Sequence, residues 1–251
     1  MRRSVLEQRL DQMPVRMDQR ELKVGDTSIT YGTLVPKADP PDTGYPLIVA
    51  LHYGTTQDPG LSPYFGLGYV GQLVYPALKD LEAVIVAPDA PAFSWAHPDS
   101  EAAVLAVVAE VRKELKTDAR RTLVTGFSLG GQGTWFFAAT HGDLFRAAIP
   151  MSGLPITTRV RTKADAEAAR KTVESGSDWA TPLLRMPLYV IQSRADELVP
   201  VAETEQAVQT LKGRGAEVSL ALIDDVPHHM VSGYIDALEA ATPWIRSQWD
   251  R

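Results

Sequence analysis

An α/β fold, with a mostly parallel sheet flanked by helices, is what this sequence predicts, and three observations predict it. Short β-rich runs alternate with longer runs of helical period, the pattern of repeated βαβ units. The runs PLIVALH (46–52) and AVIVAP (83–88) are apolar throughout, as strands covered on both faces must be. A third run, TLVTGFS (122–128), enters a tight glycine turn and passes at once into a helical segment.

Taken in order, ELKVG and SITYGTLV (21–35) alternate apolar and polar residues and read as an antiparallel lead-in hairpin. After the strand 46–52, residues 69–81 carry Val70, Leu73, Val74, Ala77, Leu78 and Leu81 at helical spacing. The strand 83–88 follows. Asp99 is then the expected N-cap of a helix over 100–116, whose Val104, Val107, Val108, Val111 and Leu115 form one stripe. The helix after 122–128 is closed by His141-Gly142. FRAAIPMSG (145–153) and PLYVIQS (187–193) are two further strands. A helix over 201–212 has Gly213 just past its end, and EVSLALID (217–224) is the last strand. A final helix starts near Ser232, with Pro243 expected to kink it.

No internal repeat or linker divides residues 1–251, which read as one domain. The charged segment 154–185 is either a small lid over a site or a plain crossover helix with a long loop.

Composition narrows the function. The 251 residues are 45% hydrophobic and 22% charged, ordinary globular proportions that leave core enough to bury. Net charge is −6, and no Lys/Arg block supplies the basic field a nucleic-acid binder needs. Cysteine is absent, which removes disulfides, thiolate metal sites and a cysteine nucleophile. No stretch approaches the roughly 18 consecutive apolar residues of a membrane span. The N-terminus, MRRSVLEQRLDQMPVRM, meets Glu7 and Asp11 before any long apolar run and does not read as a secretory signal, so the expected setting is cytoplasmic.

The chemistry is concentrated in Gly126-Phe127-Ser128-Leu129-Gly130-Gly131, a G-x-S-x-G match placed between a strand and a helix. A nucleophile on so sharp a turn sits in strained backbone, and flanking glycines remove the Cβ clashes around it. The helix N-terminus then offers N–H groups and positive dipole to a developing oxyanion.

Serine is a weak nucleophile without a base, and only five histidines are available. His141 lies too far along the helix and suits its C-terminus. His97 has no motif around it. His52 ends a strand, where it would hold the neighbouring loop. The pair His228-His229 follows the last strand, at the edge of the sheet where a base must face Ser128. An alternative for that pair is a surface or metal-binding role beside Asp224 and Asp225. The orienting acid should also end a strand, between serine and histidine in the chain. Asp196 meets both conditions, with Glu197 as the fallback.

The order Ser…Asp…His resembles that of the α/β-hydrolases, in the branch of carboxylesterase/lysophospholipase-like and dienelactone-hydrolase-like enzymes. The residues that carry the resemblance are His52-Tyr53-Gly54, the motif 126–131, the turn from Asp196 to Val199-Pro200, and His228. It covers most of 20–250 and implies an eight-stranded-type sheet, a serine hydrolase activity and, within the histidine pair, His228 as base. It also implies the backbone N–H groups of Gly54 and Leu129 as oxyanion donors.

Two departures stand out. The family commonly has glycine where this chain has Tyr53, which either crowds the pocket or lends a hydroxyl to substrate. Dienelactone hydrolases proper use cysteine, which this chain lacks. Trp95, in the loop after the strand 83–88, is a candidate pocket residue.

Gly66-Leu67-Gly68-Tyr69-Val70-Gly71 is a formal G-x-G-x-x-G, but no strand immediately precedes it, so it does not read as a dinucleotide site. Trp135, Phe136 and Phe137 read as core. The expected activity is hydrolysis of a small-molecule carboxylic ester by Ser128, Asp196 and His228, with no metal or organic cofactor required. A lysophospholipase, thioesterase or peptidase on the same triad, or a non-catalytic binding protein on a hydrolase scaffold, are the alternatives. A homo-oligomer is left open.

Overall fold

The alternation of buried runs and amphipathic segments resolves into one sheet covered on both faces. The computed structural model describes residues 13–25, 27–54, 65–174 and 178–251. The start of the N-terminal stretch, 1–12, and residues 55–64 lie outside the described residues.

The strands are β1 (Val15–Val24), β2 (Thr27–Pro36), β3 (Tyr45–Leu51), β4 (Val84–Pro88), β5 (Thr117–Phe127), β6 (Ala147–Met151), β7 (Leu188–Ser193) and β8 (Val218–Ile223). They form one eight-stranded sheet in the order β1-β2-β4-β3-β5-β6-β7-β8. β1 and β2 are an antiparallel hairpin, and β2 meets β4 antiparallel; all the other pairings are parallel. The mostly parallel α/β-hydrolase sheet is therefore present. β1 begins several residues before the predicted hairpin, and β5 starts at Thr117 rather than 122. Its polar start is held by Asp118, which accepts from the Arg120 N–H (2.9 Å) and from Arg121 Nε (2.9 Å).

Because the order turns back at β3, with β4 on one side and β5 on the other, the crevice at the C-terminal ends of β3 and β5 is the place a ligand enters such a sheet. Side-chain alternation divides the core. Leu47, Val49 and Leu51 point to one face with Val104, Val107, Trp135 and Phe136, while Ile48 and Ala50 point to the other with Tyr69, Val70, Leu73 and Tyr234. Each fully buried Val, Leu or Phe contributes about 1.5–3 kcal/mol.

The segment predicted as a helix over 69–81 is α1 (Phe65–Tyr69), a π-helical turn (Val70–Val74), α2 (Tyr75–Leu78) and a 3-10 turn (Lys79–Leu81). Next is α3 (Pro98–Glu114), whose N-cap is His97 and not Asp99: the imidazole accepts from the Asp99 N–H at 3.2 Å, and Pro98 opens the first turn, where its missing N–H costs nothing. α4 (Leu129–Thr140) follows the glycine turn and ends at His141, as predicted.

In 154–185, α5 (Lys163–Glu174) is preceded by a stretch tied to α3. Arg159 donates to both oxygens of the buried Glu101 (2.6 and 2.7 Å), His141 contacts the same carboxylate (2.7 Å), and the Val160 N–H reaches the Ala96 carbonyl. Burial raises the Glu101 pKa, and these partners outweigh it, so its carboxyl sits below the usual range.

α6 (Val201–Gly213) includes Gly213 in its last turn; the left-handed glycine is Gly215. The last predicted helix is in fact two, α7 (Ile235–Glu239) and α8 (Thr242–Trp249). Pro243 does not kink a helix but starts one, since it is tolerated in a first turn and not in an interior. No helix among the described residues is long and apolar enough to cross a membrane.

Candidate active site

The site is assembled from the C-terminal ends of five parallel strands. β5 stops at Phe127, and Ser128 takes φ 56° and ψ −114°, backbone that L-residues rarely adopt. The turn is closed by the Ser128 N–H donating to the Met151 carbonyl and by the Ser128 carbonyl accepting from the Gln132 N–H, both at 2.9 Å.

Its glycines are required by contact. A Cβ on Gly130 would lie 1.9 Å from the Leu51 carbonyl oxygen, and one on Gly126 would lie 2.4 Å from that of Gly130. Glycine costs a helix interior about 1 kcal/mol. Here it lets the first turn of α4 press directly against β3, which aims the Ser128 hydroxyl over the sheet edge.

His228 follows β8 after a turn through Asp225 (φ 55°), and its backbone N–H donates to Glu197 Oε2 at 3.0 Å. Its ring is buried and packs on Phe127, centroids 5.2 Å apart, which in turn rests edge-on against the buried Tyr234 (4.9 Å). His228 Nε2 lies 2.8 Å from Ser128 Oγ. On the other side Nδ1 lies 2.9 and 3.0 Å from the two oxygens of Asp196. These partners assign the tautomer: Nδ1–H donates to the carboxylate and Nε2 accepts the serine proton.

Asp196 sits in the loop after β7. Its Oδ1 accepts from the N–H groups of Leu198 (2.9 Å) and Val199 (2.8 Å), and its Oδ2 from Ser152 Oγ and Gln192 Nε2. Burial raises its pKa; the hydrogen bonds from His228, Ser152 and the two backbone groups outweigh burial and bring it down to about 2.

The structure thus joins Ser128, His228 and Asp196 in one hydrogen-bonded line. Glu197, the fallback acid, holds the His228 backbone instead of its ring. His229 is exposed, and Asp224 pairs with Arg194 (3.1 Å) at the surface. No group of three or more His, Asp or Glu among the described residues could hold a metal ion.

Gly54 lies against the start of α4: a Cβ there would sit 3.5 Å from Leu129 Cβ. Tyr53 turns its hydroxyl to Gln72 Oε1 (3.2 Å) and its ring edge toward Phe127. His52 holds the neighbouring loop: Nδ1 donates to the Tyr53 carbonyl (2.7 Å) and Nε2 accepts from the Ala90 N–H (3.0 Å).

Trp95 requires a correction. It is fully buried and does not line the pocket; its indole N–H donates to the His52 carbonyl at 2.9 Å and its ring packs edge-on against the imidazole. It fits there because Gly133 has no Cβ, which would lie 2.5 Å from that of Trp95.

Three residues escaped the sequence reading. Ser152 and Gln192 both hold Asp196, and Phe127 seats His228. A signal existed for two of them: Ser152-Gly153 ends the strand beside β5, and Gln192 is a polar residue in an otherwise apolar strand.

Strand order, elbow and relay are together those of the α/β-hydrolases of the serine type, the class that the sequence resembles. Within that class, the prolyl oligopeptidase family matches over residues 100–248, and the chain belongs to it. A candidate carboxymethylenebutenolidase of Salmonella typhi is 27% identical over 134 residues, 53% of this chain and 45% of that protein. The matches thus span less than half the length of the curated relatives. Among solved structures, a ferulic acid esterase superposes with a TM-score of 0.70 at 20% identity, covering 93% of this chain and 98% of that one. An acylaminoacyl peptidase of Pyrococcus horikoshii gives 0.69 at 17% identity, covering 95% of this chain and 42% of that one.

Proposed function

We propose that this protein hydrolyses carboxylic esters through an acyl-enzyme on Ser128. The observation that carries the reading is the line Ser128 Oγ–His228–Asp196, with hydrogen-bond distances of 2.8 and 2.9 Å at the two ring nitrogens. His228 Nε2 takes the hydroxyl proton as Oγ attacks the ester carbonyl. The N–H groups of Leu129 and Gly54 hold the oxyanion, at a helix N-terminus where first-turn N–H groups have no intrahelical acceptor. Asp196, ionised, fixes the imidazole tautomer and stabilises the imidazolium. His228 then protonates the leaving alcohol and activates the water that frees the acid.

The substrate we infer is a small molecule with an apolar acyl or aryl group. Phe93, Leu198 and Met230 are exposed large apolar side chains carried by loops that follow β4, β7 and β8; Leu198 and Met230 stand two residues from Asp196 and His228. The second reading, peptide-bond hydrolysis, draws on the family match and the acylaminoacyl peptidase fold.

The test is hydrolysis of p-nitrophenyl esters from acetyl to dodecanoyl beside an N-acyl peptide anilide, with wild type and Ser128→Ala in parallel. Ester turnover should dominate, favour an apolar acyl group, and fall on the order of 10⁴-fold or more in the variant. Retained ester turnover in Ser128→Ala, or absence of fluorophosphonate labelling in wild type, overturns the assignment. Faster anilide hydrolysis selects the second reading.

A further inference from the structure

Ser128 has a counterpart on the next strand. Ser152 is the first residue after β6, as Ser128 is the first after β5, and both take positive φ, 47° and 56°. Both also touch His228, from opposite sides of the ring: Ser128 Oγ lies at Nε2 and Ser152 Oγ lies 3.2 Å from Nδ1. Resting on the relay read above, we propose that Ser152 is a positioning residue that holds the Asp196 carboxylate in the plane His228 needs.

The hydroxyl has one proton, and it goes to Asp196 Oδ2. Its oxygen keeps lone pairs on the His228 side, so the Nδ1–H is shared between the carboxylate and Ser152. Oδ1 is meanwhile fixed by two backbone N–H groups of the 196–199 turn. Both carboxylate oxygens are then pinned from different elements, and rotation about the Cβ–Cγ bond would break hydrogen bonds at each end. When His228 gains the serine proton, the imidazolium finds its acceptor already aligned.

Backbone strain argues the same way. A left-handed φ is free for glycine and costly for serine. The next residue, Gly153, is glycine because a Cβ would lie 2.7 Å from the Ser128 carbonyl oxygen. At 152 the chain keeps a side chain where glycine would relieve strain, and that side chain is 1% exposed with its hydroxyl on the relay. Ser152 is not a second nucleophile. It is buried on the Nδ1 side of the ring, with its hydroxyl proton on the Asp196 carboxylate and not on a base.

This arrangement makes a discriminating variant available. Ser152→Gly removes the hydroxyl and the strain together, so the relieved backbone offsets the lost hydrogen bond to Asp196 and the melting temperature should stay close to that of wild type. Its kcat should nonetheless fall about 10- to 100-fold, the loss expected for removing one hydrogen bond to a charged group. KM should stay unchanged, fluorophosphonate should label Ser128 more slowly to the same final stoichiometry, and the low-field proton resonance of His228 Nδ1–H should shift or broaden.

Wild-type kcat with an unmoved resonance overturns the proposal. So does a lowered kcat that comes with a lower melting temperature and an unmoved resonance, the mark of a merely structural serine. Failure of the underlying reading is separate: it shows as turnover retained by Ser128→Ala, whatever Ser152→Gly does.

Discussion

The loops after β3 and β8 each bury a histidine, and the two imidazoles have been given opposite jobs. His52 meets backbone at both ring nitrogens: its Nδ1–H goes to a carbonyl and its Nε2 takes an amide proton. Burial drives its pKa down to about 4, against a smaller upward pull from the Tyr53 carbonyl, so at neutral pH it is an uncharged bracket. His228 is equally buried, but faces a hydroxyl at one nitrogen and an ionised carboxylate at the other. An amide N–H cannot hand over its proton at any useful rate, whereas a serine hydroxyl can. What separates a structural histidine from a reactive one here is therefore the chemistry at Nε2 and not the degree of burial.

The largest effects should fall on the His228 side of this contrast. His228→Ala should lower turnover on the order of 10⁴-fold or more with the far-ultraviolet circular dichroism unchanged. Asp196→Asn should lose about 10⁴-fold by favouring the wrong tautomer. It also removes a pH-dependent contribution to folding. Because the folded pKa is depressed to about 2, that contribution is complete above the unfolded value of about 3.9 and is lost as pH falls through 2. Urea unfolding of the two proteins from pH 5 downward measures the difference.

His52→Gln should act on stability more than on turnover. In wild type the His52 contribution is complete above an unfolded pKa of about 6.5 and is lost as pH falls toward 4, up to about 3 kcal/mol. The variant should flatten the stability profile over that window. A turnover loss as large as that of His228→Ala would break the comparison. The smallest effect belongs to His229→Ala: this ring is exposed, and turnover should stay within about twofold of wild type.

The glycines around Ser128 were legible because close backbone approach leaves no alternative residue, and the parallel sheet was legible because buried strands leave long apolar runs. Asp196 and His228 could be reached from the same logic, since each had to end a strand. Boundaries set by single caps were less accessible. His97 displaced Asp99 as N-cap because Pro98 fixed where the helix could begin, and Pro243 opened a helix that the apolar pattern alone had joined to the one before. Trp95 was misassigned for a different reason. Topology put its loop on the correct side of the sheet, but only the space left by Gly133, on a separate helix, turned the ring inward under His52. Ser152 depends on strand adjacency: its place at the end of a strand was legible, but not that β6 lies between β5 and β7, where the hydroxyl just past it meets a carboxylate 44 residues away.

The elbow has a bearing on how the chain acquires activity. Ser128 is held in unfavourable backbone by the Met151 carbonyl at the end of β6, and the first turn of α4 is seated against the Leu51 carbonyl at the end of β3. None of those partners is local, so the turn has no reason to take its shape until three strands have docked. On dilution from denaturant, helical signal should therefore return before the first turnover, and the interval between them times the assembly of the middle of the sheet.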